Sequence, residues 1–351
     1  MSLTESILEG HRLSISRLLT QVENDSVEGR AALVELFPHT GKAHLIGITG
    51  APGTGKSSLV NQLALHYRIQ EKKVAIVAVD PSSPFTGGAV LGDRVRMRDL
   101  SGDPGVFIRS MASRGALGGI AQTTAAFTQV FDAAGFDIVL VETVGAGQSE
   151  VDIVRLAHTT VVVEAPGLGD DIQAIKAGIL EIADVLVINK ADRPGLEITE
   201  RALRSMLELA HPTKRIVRHH GQQMSVGEAP DANSQLWIPP MIKTVATEGK
   251  GIPELATAIA NHHEFLIQSG GWTAREHARL SAELDALIAD ELMEHFRKQT
   301  SPTLYTEVVK KIFDRQLSPY EASKLLVESQ ETLDAPLSVV DAQHSAEKKD
   351  R

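Results

Sequence analysis

The chain has 351 residues, 42% hydrophobic and 23% charged, enough to bury one large core with appendages. A net charge of −10 disfavours nucleic-acid binding by phosphate neutralisation. The lack of any cysteine excludes disulfides, iron–sulfur clusters, thiolate zinc sites and a cysteine nucleophile.

From the N-terminus, Glu5, Glu9, His11, Arg12 and Arg17 interrupt the apolar positions of residues 1–20, which reads as neither signal peptide nor membrane span. A cytoplasmic protein without a membrane or nucleic-acid partner is the expectation. Apolar residues at helical spacing (Ile7, Leu13, Ile15, Leu18, Leu19, then Ala32, Leu33, Leu36) predict two helices closed by Pro38, an N-terminal extension over 1–42. Beyond Ala43, apolar runs at 45–49, 74–79, 106–110, 138–141, 160–163, 185–188 and 241–245 alternate with helical patterns. That alternation predicts an α/β domain over 43–270 with a mostly parallel sheet flanked by helices. Residues 273–300 and 304–329 read as long helices in a C-terminal arm spanning 271–335, with a polar tail over 336–351. Leu280, Leu284, Leu287, Ile288, Leu292 and Phe296 form an apolar stripe that must be buried against the body or against a second copy; a dimerisation arm is the preferred use.

The first chemical motif follows the first strand. Gly50, Ala51, Pro52, Gly53, Thr54, Gly55, Lys56 and Ser57 form G-A-P-G-T-G-K-S, opening a helix at Ser58. Consecutive N–H groups of 53–56 can curl around phosphate oxygens, Lys56 adds a cation, and the Ser57 hydroxyl can ligate Mg²⁺. At 189–192, N-K-A-D closes another strand. The Asp192 carboxylate can pair with guanine N1–H and the exocyclic amine, a pattern adenine does not offer. Asn189 and Lys190 belong to the same base site, and Val245, Ala246 and Thr247 are placed beside the base, able to offer N–H to its O6. Glu142, where aspartate is more usual, ends a strand ahead of Gly145, whose N–H is suited to a γ-phosphate. Asp80 supplies a second carboxylate. The metal set is therefore Ser57, Asp80 and Glu142, and the cofactors are GTP or GDP with Mg²⁺.

Asp93 is a candidate to support hydrolysis, alongside Lys56 and Glu142; Gln148 stands too far beyond Gly145 to be chosen for positioning water. Arg114 reads equally as a mobile cation or as a strand-end arginine. His219-His220 and His262-His263 read as surface histidines, since neighbours on one element point apart. Residues 215–240 form a polar stretch longer than a G-protein core requires, read as a surface loop.

Taken together, V-D-P-S-S-P at 79–84, T-G-G-A-V-L-G-D-R at 86–94, E-T-V-G-A-G-Q-S-E at 142–150 and P-G-L-G-D-D-I-Q-A-I-K at 166–176 resemble the MeaB/ArgK-type G proteins. The resemblance runs from about residue 10 to 330. It implies a P-loop GTPase fold with phosphate contacts at Gly50 to Ser58, and three switches at about 81–97, 142–152 and 167–176, the last ending on Lys176. It further implies a homodimer joined by the C-terminal arm. The implied function is chaperoning of an adenosylcobalamin-dependent acyl-CoA mutase, by gating cofactor delivery and protecting or reactivating the mutase. The client would be methylmalonyl-CoA mutase or a related isobutyryl-CoA or 2-hydroxyisobutyryl-CoA type. No D-x-H-x-x-G cobalamin pattern is found, so the cobalamin is expected to belong to the client. Turnover is expected to be slow alone and faster with the partner. Two other functions remain open from the P-loop itself: a small-molecule or protein kinase, which would favour adenine, and a nickel-inserting GTPase, which the absence of cysteine opposes.

Overall fold

A computed structural model describes residues 2–81, 97–100, 102–113, 119–143, 156–167, 182–210, 216–219, 222–225 and 236–334. The chain divides into two compact units, 1–283 and 284–351.

In the first unit the strands of the main sheet are β1 (His44–Thr49), β2 (Val74–Pro81), β3 (Val106–Ser113), β4 (Ile138–Thr143), β5 (Thr159–Glu164), β6 (Val185–Ile188) and β9 (Met241–Lys243). They form one parallel sheet in the order β3-β2-β4-β1-β5-β6-β9. The expected α/β class is observed. β1 sits where the order turns, with β2 to β4 on one side and β5, β6 and β9 on the other, so its carboxyl end opens onto the crevice where ligands of such sheets bind.

Strand residues alternate between two cores, as a period of two requires. Ala75, Val77 and Val79 of β2 join a cluster with Phe107, Phe127, Phe131 and Phe136. Val74 and Ile76 join the opposite one with Leu59 and Leu63 of α4 (Lys56–Ile69) and Leu255 and Ile259 of α7 (Ile252–Ser269). α5 (Gly119–Ala133) lies in the first layer, and α6 (Leu196–Ala210) packs Leu203 near Leu186 and Ile188.

Ahead of β1 the described residues make three helices rather than the expected two: α1 (Leu3–Leu8), α2 (Arg12–Glu23) and α3 (Val27–Leu36), then a 3₁₀ turn at Phe37–His39. The extra break falls at Gly10, which has φ +79°. Ser2 and Glu5 form a reciprocal capping box, and Ser26 caps α3 through the Gly29 N–H. Ile7, Ile15, Leu18, Leu19 and Leu36 enter the core beside α5, and Arg109 pairs with Glu23 at 2.5 Å. The Asp132 carboxylate of α5 accepts N–H bonds from Gly41, Lys42 and Ala43, which fixes the approach to β1.

Residues 215–240 are not all loop. β7 (Ile216–His219) pairs antiparallel with β8 (Gln222–Ser225). The strand expected over 241–245 ends at Lys243, because Val245 turns to bond Lys250 instead.

The helix α8 (Gly271–Gln299) opens the arm sequence. In the second unit the predicted 304–329 helix is two, α9 (Pro302–Phe313) and α10 (Pro319–Asp334). Arg315 at φ +56° ends the first, and a Ser318–Glu321 capping box starts the second. Val308, Ala322 and Leu326 form this unit's core with Phe296 against it, while Leu284, Leu287, Ile288, Leu292 and Met293 are exposed. Among the described residues no helix is long and apolar enough to cross a membrane.

Candidate nucleotide site

The loop after β1 is shaped by its glycines. Gly50 has φ +137°, and a Cβ there would lie 2.1 Å from the Val163 carbonyl oxygen of β5, so no side chain fits. Gly55, the left-handed N-cap of α4, faces the Asn189 amide, which a Cβ would meet at 2.5 Å. These tight approaches hold the loop directly over the N-terminus of α4, whose N–H groups and dipole favour an anion.

Lys56 is buried, and its ammonium donates to the Gly50 and Ala51 carbonyls at 2.7 and 3.0 Å. It therefore spans the loop that it is expected to serve. Thr54 ties the loop to itself through Ala51 O at 3.0 Å. Pro52 and Gly53 are exposed at the loop's outer turn, and Ser58 lies in the first turn of α4.

Ser57 and Glu142 meet. The Ser57 hydroxyl donates to Glu142 Oε1 at 2.7 Å, and Glu142 is 3% exposed at the end of β4. A hydroxyl and a buried carboxylate brought together beside a phosphate loop are a hard-oxygen donor set, suited to Mg²⁺. Asp80 lies within β2, next to β4 in the sheet; its side chain lies outside the described residues. Asp93, Gly145, Gln148, Lys176 and Arg114 are also outside them, as is most of each expected switch.

The base-side motif is joined to the phosphate loop by two side chains, Asn189 and Lys190. Asn189, 2% exposed, donates from Nδ2 to Thr54 O at 2.9 Å, while its Oδ1 accepts from the Thr244 hydroxyl and the Ala246 N–H, both at 3.1 Å. Its amide thus braces three loops. Lys190, at φ +56°, turns its ammonium to Gly53 O at 2.5 Å and covers the phosphate loop from the other side. Asp192 is exposed. Lys250 is held above the ordinary lysine range by Glu248, paired at 2.6 Å, and more weakly by Asp192, which places that carboxylate's field beside the 245–250 turn. Within that turn the Val245 N–H is used by Lys250 O and the Ala246 N–H by Asn189.

Sequence reading missed Thr244 and the Val163 backbone as parts of this site. Both sit at strand ends with no motif of their own; only the neighbouring N-K-A-D and G-A-P-G-T-G-K-S could have pointed to them.

The surface histidine reading fails for His262, which is fully buried, its ring against Thr159 and Asp184. Its partners come from β5 and from the residue ahead of β6, so the neighbour rule on its own helix did not apply.

Residues 15–301 match the family model described as methylmalonyl-CoA mutase-associated GTPase MeaB. A relative from Pyrococcus horikoshii, itself named among the GTPases, is 43% identical over 326 residues, covering 93% of this chain and 96% of its own. The GTPase ArgK of Escherichia coli is 33% identical over 336 residues, covering 93% and 94%. A mouse mitochondrial protein named methylmalonic aciduria type A homolog is 32% identical over 287 residues, 81% of this chain and 65% of its own. In structure, the chain is similar to a LAO/AO transport system kinase, with a TM-score of 0.65 at 25% identity over 94% of this chain and 96% of that one.

Proposed function

The chain belongs to the MeaB family of methylmalonyl-CoA mutase-associated GTPases, and from that premise we propose that it is a GTP-hydrolysing chaperone of an adenosylcobalamin-dependent acyl-CoA mutase, using GTP binding and hydrolysis to gate cofactor delivery and to protect or reactivate its client. The observation that carries the nucleotide half is the Asn189 brace. It fixes the N-K-A-D segment and the 244–247 turn onto the phosphate loop, so base and phosphates of one nucleotide can be held by one rigid frame. Asp192 selects guanine through its N1–H and amine, with the Thr247 N–H at O6.

The backbone of 53–56 and Lys56 hold the phosphates. Ser57, Glu142 and Asp80 would hold Mg²⁺, which neutralises charge on the β- and γ-phosphate oxygens when bound. Asp93 and Lys176 are proposed to act from the switch segments, and Gly145 to contact the γ-phosphate. Hydrolysis is slow in the isolated chain and is stimulated by the client. The client reading rests on family membership, with methylmalonyl-CoA mutase as first choice and the isobutyryl-CoA and 2-hydroxyisobutyryl-CoA types as alternatives. The exposed row Leu284, Leu287, Ile288, Leu292 and Met293 supports a homodimer through the 271–335 arm. The protein is proposed to work in the cytoplasm.

The test is GTP turnover by the purified chain, alone and with methylmalonyl-CoA mutase, with ATP as the control. Slow, GTP-selective turnover raised by the mutase is expected. No stimulation by any of the three mutases would remove the client reading. Turnover favouring ATP would instead support a kinase, the kind of protein for which the similar solved structure is named.

A further inference from the structure

At the amino-terminal end of the sheet, away from the phosphate loop, four imidazoles gather in the first unit. His44 opens β1, His158 precedes β5, and His262 and His263 come from α7. His44 stacks on His263 at 4.6 Å, and Trp272 of α8 lies 3.9 Å from His158 and 4.9 Å from His263.

The hydrogen bonds fix protonation states. The Leu45 N–H donates to His158 Nδ1 at 3.0 Å, so that nitrogen must keep its lone pair and the ring proton sits on Nε2, facing Glu276 of α8. A second proton on Nδ1 would set two N–H groups against each other inside the sheet end. The Thr159 hydroxyl lies between His44 Nε2 at 2.7 Å and His262 Nδ1 at 2.9 Å, and has a single proton to give. Thr159, His262 and Asp184 line up as a nucleophile, base and acid would. Thr159 is wholly buried, however, which denies a substrate access. Among the described residues no three such groups converge to hold a metal ion.

The first turns of α8 supply the other half. Arg275 grips both oxygens of Asp184 at 2.7 Å and donates to His158 O at 2.6 Å, and Arg279 pairs with Glu276 at 2.9 Å. α8 is thus docked through Trp272, Arg275 and Glu276 onto a surface of histidines and Asp184.

We propose that this cluster is an acid-sensitive latch: with its imidazoles neutral it seats the first turns of α8 on the sheet end, and proton uptake by His44, His158 and His263 releases those turns while the nucleotide-binding sheet stays folded.

Burial is the largest cause holding all three histidines below the ordinary imidazole range, and neighbouring imidazoles add to it for His44 and His263. The groups facing them are Asp184 ahead of β6, Asp132 of α5, His262 of α7, and Glu276 and Arg279 of α8. Glu276, at about 2, and Asp184, also lowered, stay charged from neutral to mildly acid pH, while burial raises the Glu283 carboxyl, so Glu283 titrates towards the acid side along with the histidines. Because the seated histidines resist protons that released ones accept near pH 6.5, the latch is full above that pH and weakens as pH falls.

The chain has two tryptophans, and Trp237→Phe leaves Trp272 as sole reporter. Its emission, and hydrogen exchange of the 271–283 amides in the unaltered full-length chain, are followed from pH 7.5 to 5.0, with far-UV circular dichroism as the global control. A transition below pH 6.5 is expected, protection of 271–283 falling up to about tenfold per histidine per pH unit while α4 keeps its protection. His158→Asn, whose amide oxygen accepts the Leu45 N–H but takes no proton, should reduce the steepness by one proton. Emission and exchange that do not change down to pH 5.0, a change only together with global unfolding, or unaltered steepness in His158→Asn would each overturn the latch. If Trp237→Phe fails to fold, the exchange measurement on the unaltered chain decides alone.

Discussion

At the carboxyl ends of β1 and β6 the important side chains reach backbone: Lys56 bonds two loop carbonyls, Lys190 a third, and Asn189 bridges carbonyl and N–H groups of separate turns. At the amino ends of β1, β5 and β6, side chains also pair with one another: Asp184 to Arg275, Glu276 to Arg279, His44 to Thr159. The first arrangement ties down the loop's carbonyls at a helix N-terminus, as anion binding requires. The second pairs its charges internally and is closed by Trp272, as anchoring requires. Damage to the first end should therefore appear in nucleotide affinity and turnover, and damage to the second in stability.

The largest expected effect breaks the binding end alone. Lys56→Ala should cut GTP turnover by about 10²- to 10³-fold, the loss typical of one aimed donor at developing charge. The urea midpoint should change little, and loss of fold would blur the division between the two ends. Asp184→Asn should do the reverse. Asp184 is 6% exposed and bears the Arg275 clamp, while the Arg275 side chain is 38% exposed, so water recovers part of the lost pairing. A loss of about 2–3 kcal/mol in urea unfolding, below the range for wholly buried pairs, is expected with nucleotide Kd unchanged. Asp192→Asn should weaken GTP by about 2 kcal/mol and narrow the GTP-over-ATP preference, read by calorimetric titration with both nucleotides. The most gradual effect is that of pH. His44 and His158 are buried with pKa values held down, so stability is full above pH 6.5 and falls as protons enter. The slope should reach at most about 1.4 kcal/mol per histidine per pH unit, measured by urea unfolding between pH 6.5 and 5.5. A flat profile would assign the amino end a role other than anchoring.

The legibility of these regions in sequence follows their locality. The phosphate loop is a contiguous segment whose geometry is imposed by its own glycines, and the strands show as apolar runs because both sheet faces are covered. The breaks at Gly10 and Arg315 were not legible, since each depends on a single backbone residue turning left-handed inside an otherwise helical pattern. The β7–β8 pair escaped because Arg218, His219, Gln222 and Gln223 lack the apolar alternation that marks a strand. The histidine cluster escaped for a different reason. His44, His158 and Asp184 stand at equivalent places just ahead of apolar runs, a faint signal that three strand starts share one end, but nothing in sequence says which helix covers that end.

The sequence by itself determined the parallel sheet, the phosphate loop and its lysine, the position of N-K-A-D at a strand end, and the family. Each is encoded by neighbours along the chain, through glycine dihedrals, apolar period and fixed spacing. Only the tertiary structure decided that Asn189 braces the loops, that Ser57 meets Glu142 across 85 residues, and that His262 is buried against Thr159 and Asp184. Those contacts depend on strand order and on which strand ends share an edge of the sheet. Strand order is set by the packing of all the layers together.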